Sequence, residues 1–157
     1  LHALAGLVSR TDTPRRHHPS GGGLYPLEYY IFPYRVATLH QQIYHYAPST
    51  HTLEELVCTS GLPKHSEIVL EHDPSIDPAA LILITSLWGR NYPKYGDFAY
   101  RLALLEAGHS AQNILLAATA LSVKARPYGG VFTEKANKIL DLERHTEDAI
   151  YSIILGC

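Results

Sequence analysis

The sequence predicts an α+β fold, an antiparallel or mixed sheet packed on a buried central helix. Three observations carry that expectation. From Phe98 to Leu121 the chain is rich in Leu, Ala, Glu and Gln and holds no proline, the content of a long helix. Its last turns are apolar on nearly every side, from Ile114 to Leu121, and a helix apolar all round is expected inside a protein. Residues 28–34 and 42–46 are aromatic and β-branched, and residues 79–87 form a continuous apolar run; all three read as strands.

In chain order, residues 1–8 have the content of the tail of an amphipathic helix. Residues 9–20 are polar and basic, with Pro14 and Pro19, and read as a loop. Gly21, Gly22 and Gly23 follow, flanked by Arg15, Arg16 and Ser20 before and by Leu24, Tyr25 and Pro26 after. A glycine run reads either as a flexible loop or as a backbone that a ligand approaches closely. After the strands at 28–34 and 42–46 come a turn at 47–50, a short helix expected at 51–57, and a possible short strand at 68–70. Residues 88–96 read as a loop leading into the central helix. A short strand at 123–125, a turn at 126–130, a helix at 133–140 with Thr133 as its N-cap, and a final strand at 149–155 complete the expectation.

The length of 157 residues suits a single domain spanning residues 1–157. Hydrophobic residues make up 46% and charged ones 18%, which describes a globular chain and not a disordered one. A net charge of −2 gives no electrostatic footprint for nucleic acid or an acidic membrane surface. No apolar run is long enough to span a bilayer. Cys58 and Cys157 form no motif, so a reducing, cytoplasmic setting is expected. The chain begins at Leu1, contains no Met and ends on strand-like residues, so it is expected to be a piece of a longer protein.

The central helix also carries polar groups. Glu106, His109 and Asn113 recur at spacings of three and four, with Gln112 beside them. Polar groups on a buried helix need partners, which leaves an internal hydrogen-bond network or a face that meets a polar ligand. The pair Glu106-x-x-His109 has a metal-like spacing, but di-iron bundles need two such motifs and this chain has one. No metal is expected.

Several motifs together resemble those of SagB-type dehydrogenases, within the flavin-dependent nitroreductase superfamily. They are Arg16-His17-His18-Pro19-Ser20-Gly21-Gly22-Gly23-Leu24-Tyr25-Pro26-Leu27-Glu28, Tyr44-His45-Tyr46 with His51-x-Leu53-Glu54, and Lys94-Tyr95-Gly96 followed by Tyr100-Arg101-x-x-x-Leu105-Glu106-x-Gly108-His109-x-x-Gln112-Asn113. Gly129-Gly130-x-Phe132 and Leu155-Gly156 also fit. In that family the position after Asp97 is usually basic, whereas here it is Phe98.

The resemblance implies FMN bound at the interface of a homodimer, and dehydrogenation of peptide thiazolines or oxazolines to thiazoles or oxazoles. It places an acid/base pair on Lys94 and Tyr95. It sets Pro19, Ser20, Gly21, Gly22 and Gly23 against the flavin ring, and gives Arg16 to the phosphate or the pyrimidine edge. Tyr128, Gly129 and Gly130 are implied to turn backbone N–H groups toward the flavin, with His109, Gln112 and Asn113 also on the cofactor side. A lysine ordinarily titrates near about 10.4, so it acts as a base only where burial or a nearby cation lowers that value; Arg90 and Arg101 are the cations closest in sequence. Two other readings stay open: a general NAD(P)H-dependent nitro or quinone reductase, and a non-catalytic binding module built on the same fold.

Overall fold

The apolar run at the centre of the sequence becomes the centre of the sheet. In the computed structural model, which describes residues 15–56, 61–70, 75–143 and 145–156, β4 (Ala80–Leu87) is buried from Ala80 to Ser86. A strand covered on both faces has no polar side to alternate with, which is why its sequence shows no period of two. It pairs with β1 (Leu27–Pro33) on one side and β6 (Glu147–Leu155) on the other. β2 (Ile43–Ala47) and β3 (Thr52–Leu56) extend the β1 side, and β5 (Ala125–Tyr128) extends the β6 side. The six-stranded order is β3-β2-β1-β4-β6-β5, and every neighbouring pair is antiparallel. The fold is therefore α+β, as the sequence predicts.

Helices cover both faces. α1 (His65–Ile68) and α4 (Thr133–Ile139) pack on the face that holds Phe32, Leu81, Leu83 and Ile154. The opposite face, with Tyr29, Tyr46, Ile82 and Ile84, takes the central helix α3 (Phe98–Ala120). Ala99, Ala103, Ala107, Ala111 and Ala118 line its buried side. A stripe of small side chains lets a helix approach a sheet closely. Each larger side chain buried beneath it contributes roughly 1.5–3 kcal/mol.

Burial of α3 is one-sided. Tyr100, Leu104, Leu105 and Leu116 on its outer side are exposed in this single chain, so the expectation of burial all round is not met here. Among the described residues, no helix is long and apolar enough to cross a membrane.

Five local expectations are corrected. Residues 52–56, expected to begin a helix, form β3: His51 adopts φ 56 and turns the chain back, and the open edge of β2 pairs with it from Ile43↔Leu56 to Ala47↔Thr52. Pairing with the sheet decides the conformation of this segment over local preference. Residues 65–68 are helical where a strand at 68–70 was expected, and Val69 makes only a single bridge to Val131. Residues 88–96 hold a 3-10 turn, Trp88–Arg90, and a one-turn helix α2 (Tyr92–Tyr95), ended by Gly96 at φ 53. Arg126 and Pro127 lie in β5 and not in a turn; β5 is an edge strand, where a proline needs no ladder partner for its missing N–H. Phe132, not Thr133, occupies the N-cap of α4, and the Thr133 hydroxyl donates to the carbonyl of Ala149 at 3.0 Å. The helix expected at 1–8 and both cysteines lie outside the described residues.

Candidate active site at the first glycine turn

Gly21–Gly23 forms a single 3-10 turn closed by the Gly23 N–H donating to the Ser20 carbonyl at 3.0 Å. Gly22 and Gly23 are left-handed, at φ 65 and 67, a conformation that favours glycine. Space makes the second demand at Gly22. A Cβ built there would lie 2.6 Å from Tyr95 Oη and 2.8 Å from Lys94 Nζ. The Lys94 and Tyr95 side-chain tips on α2 thus rest directly on the backbone of Gly22. The Lys94 ammonium also sits 5.3 Å from the ring centroid of Tyr95. Gly21 is backed by Leu102 of α3, whose Cδ1 would lie 3.0 Å from an added Cβ.

The turn is anchored to α3 through one carboxylate. Glu106 is only 2% exposed. It accepts a hydrogen bond from Ser20 Oγ at 2.5 Å and faces His18 Nε2 at 3.3 Å. A buried acid without such partners would be costly, so the pairing explains why Glu106 faces inward. Ser20 Oγ in turn accepts the Tyr25 N–H at 2.9 Å. Arg16 donates from Nη1 to the Leu27 carbonyl at 2.7 Å and lies over the rings of Tyr25 and Tyr29. Its guanidinium therefore braces the exit of the turn. One helical turn beyond Glu106, Ser110 meets Tyr29 Oη at 2.8 Å; burial, first of several causes, pushes the Tyr29 phenol up to about 12.

A second polar cluster lies beside the first. Glu28, on β1, contacts Arg90 Nη1 at 2.5 Å and His45 Nε2 at 2.8 Å. His45 Nδ1 meets Glu54 at 3.1 Å. Burial alone would raise the Glu28 pKa, but the hydrogen bond from His45 and the charges of Arg90, His45 and Arg16 outweigh it, and the net shift is downward. The His45 pKa is raised, chiefly by its hydrogen bond to Glu28, against an opposing effect of burial. Arg90 also donates to the Tyr25 carbonyl at 2.9 Å, and Arg101 lies over the Phe98 ring at 5.5 Å. Both cations named as neighbours of Lys94 in sequence are thus engaged elsewhere.

Of the residues implied by resemblance, the structure brings together Lys94, Tyr95, Ser20, Gly21 and Gly22, with Arg16 bracing the turn and Pro19 exposed on its rim. Tyr128, Gly129 and Gly130 sit elsewhere: Tyr128 ends the edge strand β5, paired with Ser152, and the two glycines follow it. The Gly130 carbonyl accepts the Leu70 N–H at 2.7 Å, and a Cβ on Gly130 would lie 3.1 Å from Leu70 Cβ. Tyr151 faces Gly129, its ring 3.7 Å from an added Cβ. On α3, Glu106 and His109 part company: Glu106 is buried, His109 and Gln112 are exposed, and Asn113 is half-buried. Among the described residues no group of three His, Cys, Asp or Glu side chains is placed to hold a metal ion.

A cleft of about 770 Å³ opens nearby, walled by Trp88, Tyr92, Pro93, Tyr100 and Asp148 among others. Lys94 and Tyr95 are not in its wall, and Asp148 is already held by Trp88 Nε1 and Asn137 Nδ2, each at 2.7 Å. Residue-level reading missed His18 as a partner of Glu106, and the pairing of Glu28 with Arg90 and His45. The signal for Glu28 was present: an acid at the start of an aromatic strand must find a cation or a donor.

The Nitroreductase family matches residues 2–157. A nitroreductase-family protein of Methanocaldococcus jannaschii, MJ1384, is 29% identical over 132 residues, covering 81% of this chain and 64% of that one. The microcin B17-processing protein McbC of Escherichia coli is 28% identical over 137 residues, covering 84% of this chain and 50% of McbC. The chain thus spans half to somewhat under two thirds of the length of these relatives. A nitroreductase-family structure from Anabaena variabilis superposes with a TM-score of 0.83 at 27% identity, over 98% of this chain and 33% of that one. The E. coli microcin synthetase McbBCD complex, solved with truncated pro-MccB17 bound, gives a TM-score of 0.82 at 23% identity over 99% of this chain and 60% of that one, a likeness of fold. With the family matched along nearly its whole length, the chain belongs to the Nitroreductase family.

Proposed function

We propose that this protein is an FMN-dependent oxidoreductase that dehydrogenates peptide thiazolines or oxazolines, in the manner of the SagB-type enzymes its motifs resemble. One observation carries the reading: Lys94 Nζ and Tyr95 Oη converge on the bare backbone of Gly22, where any side chain would displace them. Similarity to a microcin B17-processing protein supports it. The first glycine turn leaves room for a planar cofactor at Gly23, which is left-handed and has nothing within 4 Å of where a Cβ would lie.

On this reading Pro19, Ser20 and Gly21–Gly23 line the flavin site, with Arg16 bracing it. Tyr128, Gly129, Gly130, His109, Gln112 and Asn113 serve the cofactor across a homodimer interface. Bound FMN would supply the acceptor for the hydride that leaves the azoline ring. Lys94 takes the ring proton lost in the same oxidation, and Tyr95 holds the substrate by one hydrogen bond. General-base help of this kind is typically worth about 10²–10⁴-fold. The exposed Leu104, Leu105 and Leu116 of α3 supply an apolar surface for the two-fold contact, of the kind that marks an interface.

The test is anaerobic mixing of the FMN-loaded protein with a peptide thiazoline and, separately, with NADH. Loss of flavin absorbance with the thiazoline supports the proposal. Loss with NADH alone supports the general-reductase reading, which the similarity to MJ1384 favours. A protein that takes up no FMN supports neither.

A further inference from the structure

The turn that carries Lys94 and the turn that contains Gly22 come from distant parts of the chain, and one guanidinium joins them. Arg90 ends the 3-10 turn Trp88–Arg90, immediately before α2. Its Nη1 reaches the Tyr25 carbonyl at 2.9 Å and Glu28 Oε1 at 2.5 Å. Tyr25 lies at the exit of the glycine turn and is left-handed, φ 47, without being a glycine. Such a conformation persists only where its surroundings hold it, and such residues gather at functional sites. Here Ser20 takes its N–H, Arg16 lies over its ring at 5.3 Å, the His18 ring meets its edge, and Arg90 holds its carbonyl.

We propose that Arg90, held by Glu28, is the positioning residue that sets Lys94 and Tyr95 over Gly22, by tying the segment 88–95 to the carbonyl that ends the glycine turn. Arg90 acts through two stretches of backbone and not on the reacting groups. Glu28 is the fixed end of the strap: it is buried on β1, and His45 holds its second oxygen, which leaves the first for Arg90. Guanidinium suits this task because its donors are rigid and its charge is permanent. A misplacement of about 1 Å in a reacting pair can cost 10²-fold in rate, so a strap outside the chemistry can still govern it.

The inference rests on the proposed reaction at Lys94 only for its kinetic arm. The other arm uses Trp88, the one tryptophan in the chain, which shares the 3-10 turn with Arg90 and donates to Asp148. In the full chain, Arg90→Ala and Glu28→Gln should both make Trp88 emission more easily quenched by acrylamide, with the far-UV circular dichroism unchanged. Loaded with FMN, both should reduce their flavin with a thiazoline about 10- to 100-fold more slowly in a single turnover, at a similar half-saturating substrate concentration. Arg90→Lys should recover part of both effects. The double variant should be no worse than the worse single, because the two residues act as one unit.

Parent-like quenching and rate in Arg90→Ala would overturn the proposal. So would a variant that melts earlier yet keeps both values below its melting range, since that describes a purely structural ion pair. If the parent itself fails to reduce its flavin with the thiazoline, the proposed reaction falls, and the quenching of Trp88 alone decides the strap.

Discussion

The chain has two glycine turns, and they are built differently. The first, at Gly21–Gly23, sits in a polar surround: Ser20 and His18 on Glu106, Arg16 across the Tyr25 ring, and Lys94 and Tyr95 over Gly22. The second, at Gly129 and Gly130, meets an aliphatic side chain, Leu70, and a tyrosine ring, Tyr151. Gly22 has to be left-handed; Gly129 and Gly130 do not adopt positive φ at all. In sequence the two runs carry the same signal. The difference shows that a glycine run marks a close approach without saying what approaches, and the neighbouring residues decide whether that is chemistry or packing.

The largest expected effect is at Gly22. Gly22→Val adds a side chain where the Lys94 and Tyr95 tips now lie, and those tips are the flexible ends that must move. Flavin reduction by a thiazoline should slow by about 10²-fold or more. The positive φ should cost only about 1–2 kcal/mol of stability. Stopped-flow absorbance and a urea titration read the two effects separately, and a parent-like rate would remove the contrast between the turns.

Removing the anchor of the first turn comes next. Glu106→Ala leaves Ser20 and His18 without their shared acceptor inside the protein. It should destabilise the fold by roughly 1–3 kcal/mol, read as a lower urea midpoint. A midpoint equal to that of the parent would mean the turn does not depend on α3.

Gly130→Val probes the second turn. Its added side chain must push Leu70, so the double variant Gly130→Val with Leu70→Ala isolates any role in holding flavin from packing. If the turn contacts flavin across the proposed dimer, FMN affinity should fall about tenfold in both variants, some 1.4 kcal/mol. Unchanged affinity in the double variant would sharpen the comparison: one turn for chemistry, the other for packing.

The smallest effect is the pH dependence of the cluster beside the first turn. The folded-state pKa of His45 is raised above its ordinary value near about 6.5, so the stability it contributes is fully present below that value and is lost as pH rises through the raised folded value. The groups facing it are Glu28 on β1, Glu54 on β3 and the Tyr30 ring, with Arg90 beyond Glu28. Glu28, whose pKa is lowered, behaves oppositely: its contribution is lost as pH falls through the lowered folded value. Because His45 and Glu54 are partly open to solvent, the change on the alkaline side should stay below about 1 kcal/mol. Urea midpoints measured across that range should decline for the parent and stay level for His45→Gln; equal slopes would contradict the assignment to His45.

Much of the frame was legible in the sequence because local chemistry and global position agree there. The apolar Ala80–Leu87 and the aromatic Leu27–Pro33 each have a composition that a buried strand satisfies, and the proline-free run of α3 marks the helix itself. β3 was read as a helix because no local pattern reveals the edge of β2 that makes residues 52–56 a strand. The outer leucines of α3 read as buried, yet they are exposed in the single chain.

The site was legible in part. Lys94, Tyr95 and the first glycine turn came from motif resemblance, since no local pattern joins residues so far apart in sequence. Arg90, Glu28 and His45 were invisible as a unit for the same reason. Glu106 was singled out correctly as a polar group needing a partner, but its partners, Ser20 and His18, lie in a loop that spacing alone could not bring to it.

The measurement that tests the account most directly is single-turnover flavin reduction by a peptide thiazoline in Lys94→Ala, fully loaded with FMN and compared with the parent and with Tyr95→Phe. The account expects Lys94→Ala to keep its fold and its FMN and to slow by about 10²–10⁴-fold, with a smaller loss in Tyr95→Phe. Reduction of the flavin in Lys94→Ala at the parent rate would contradict the assignment of Lys94 as the base.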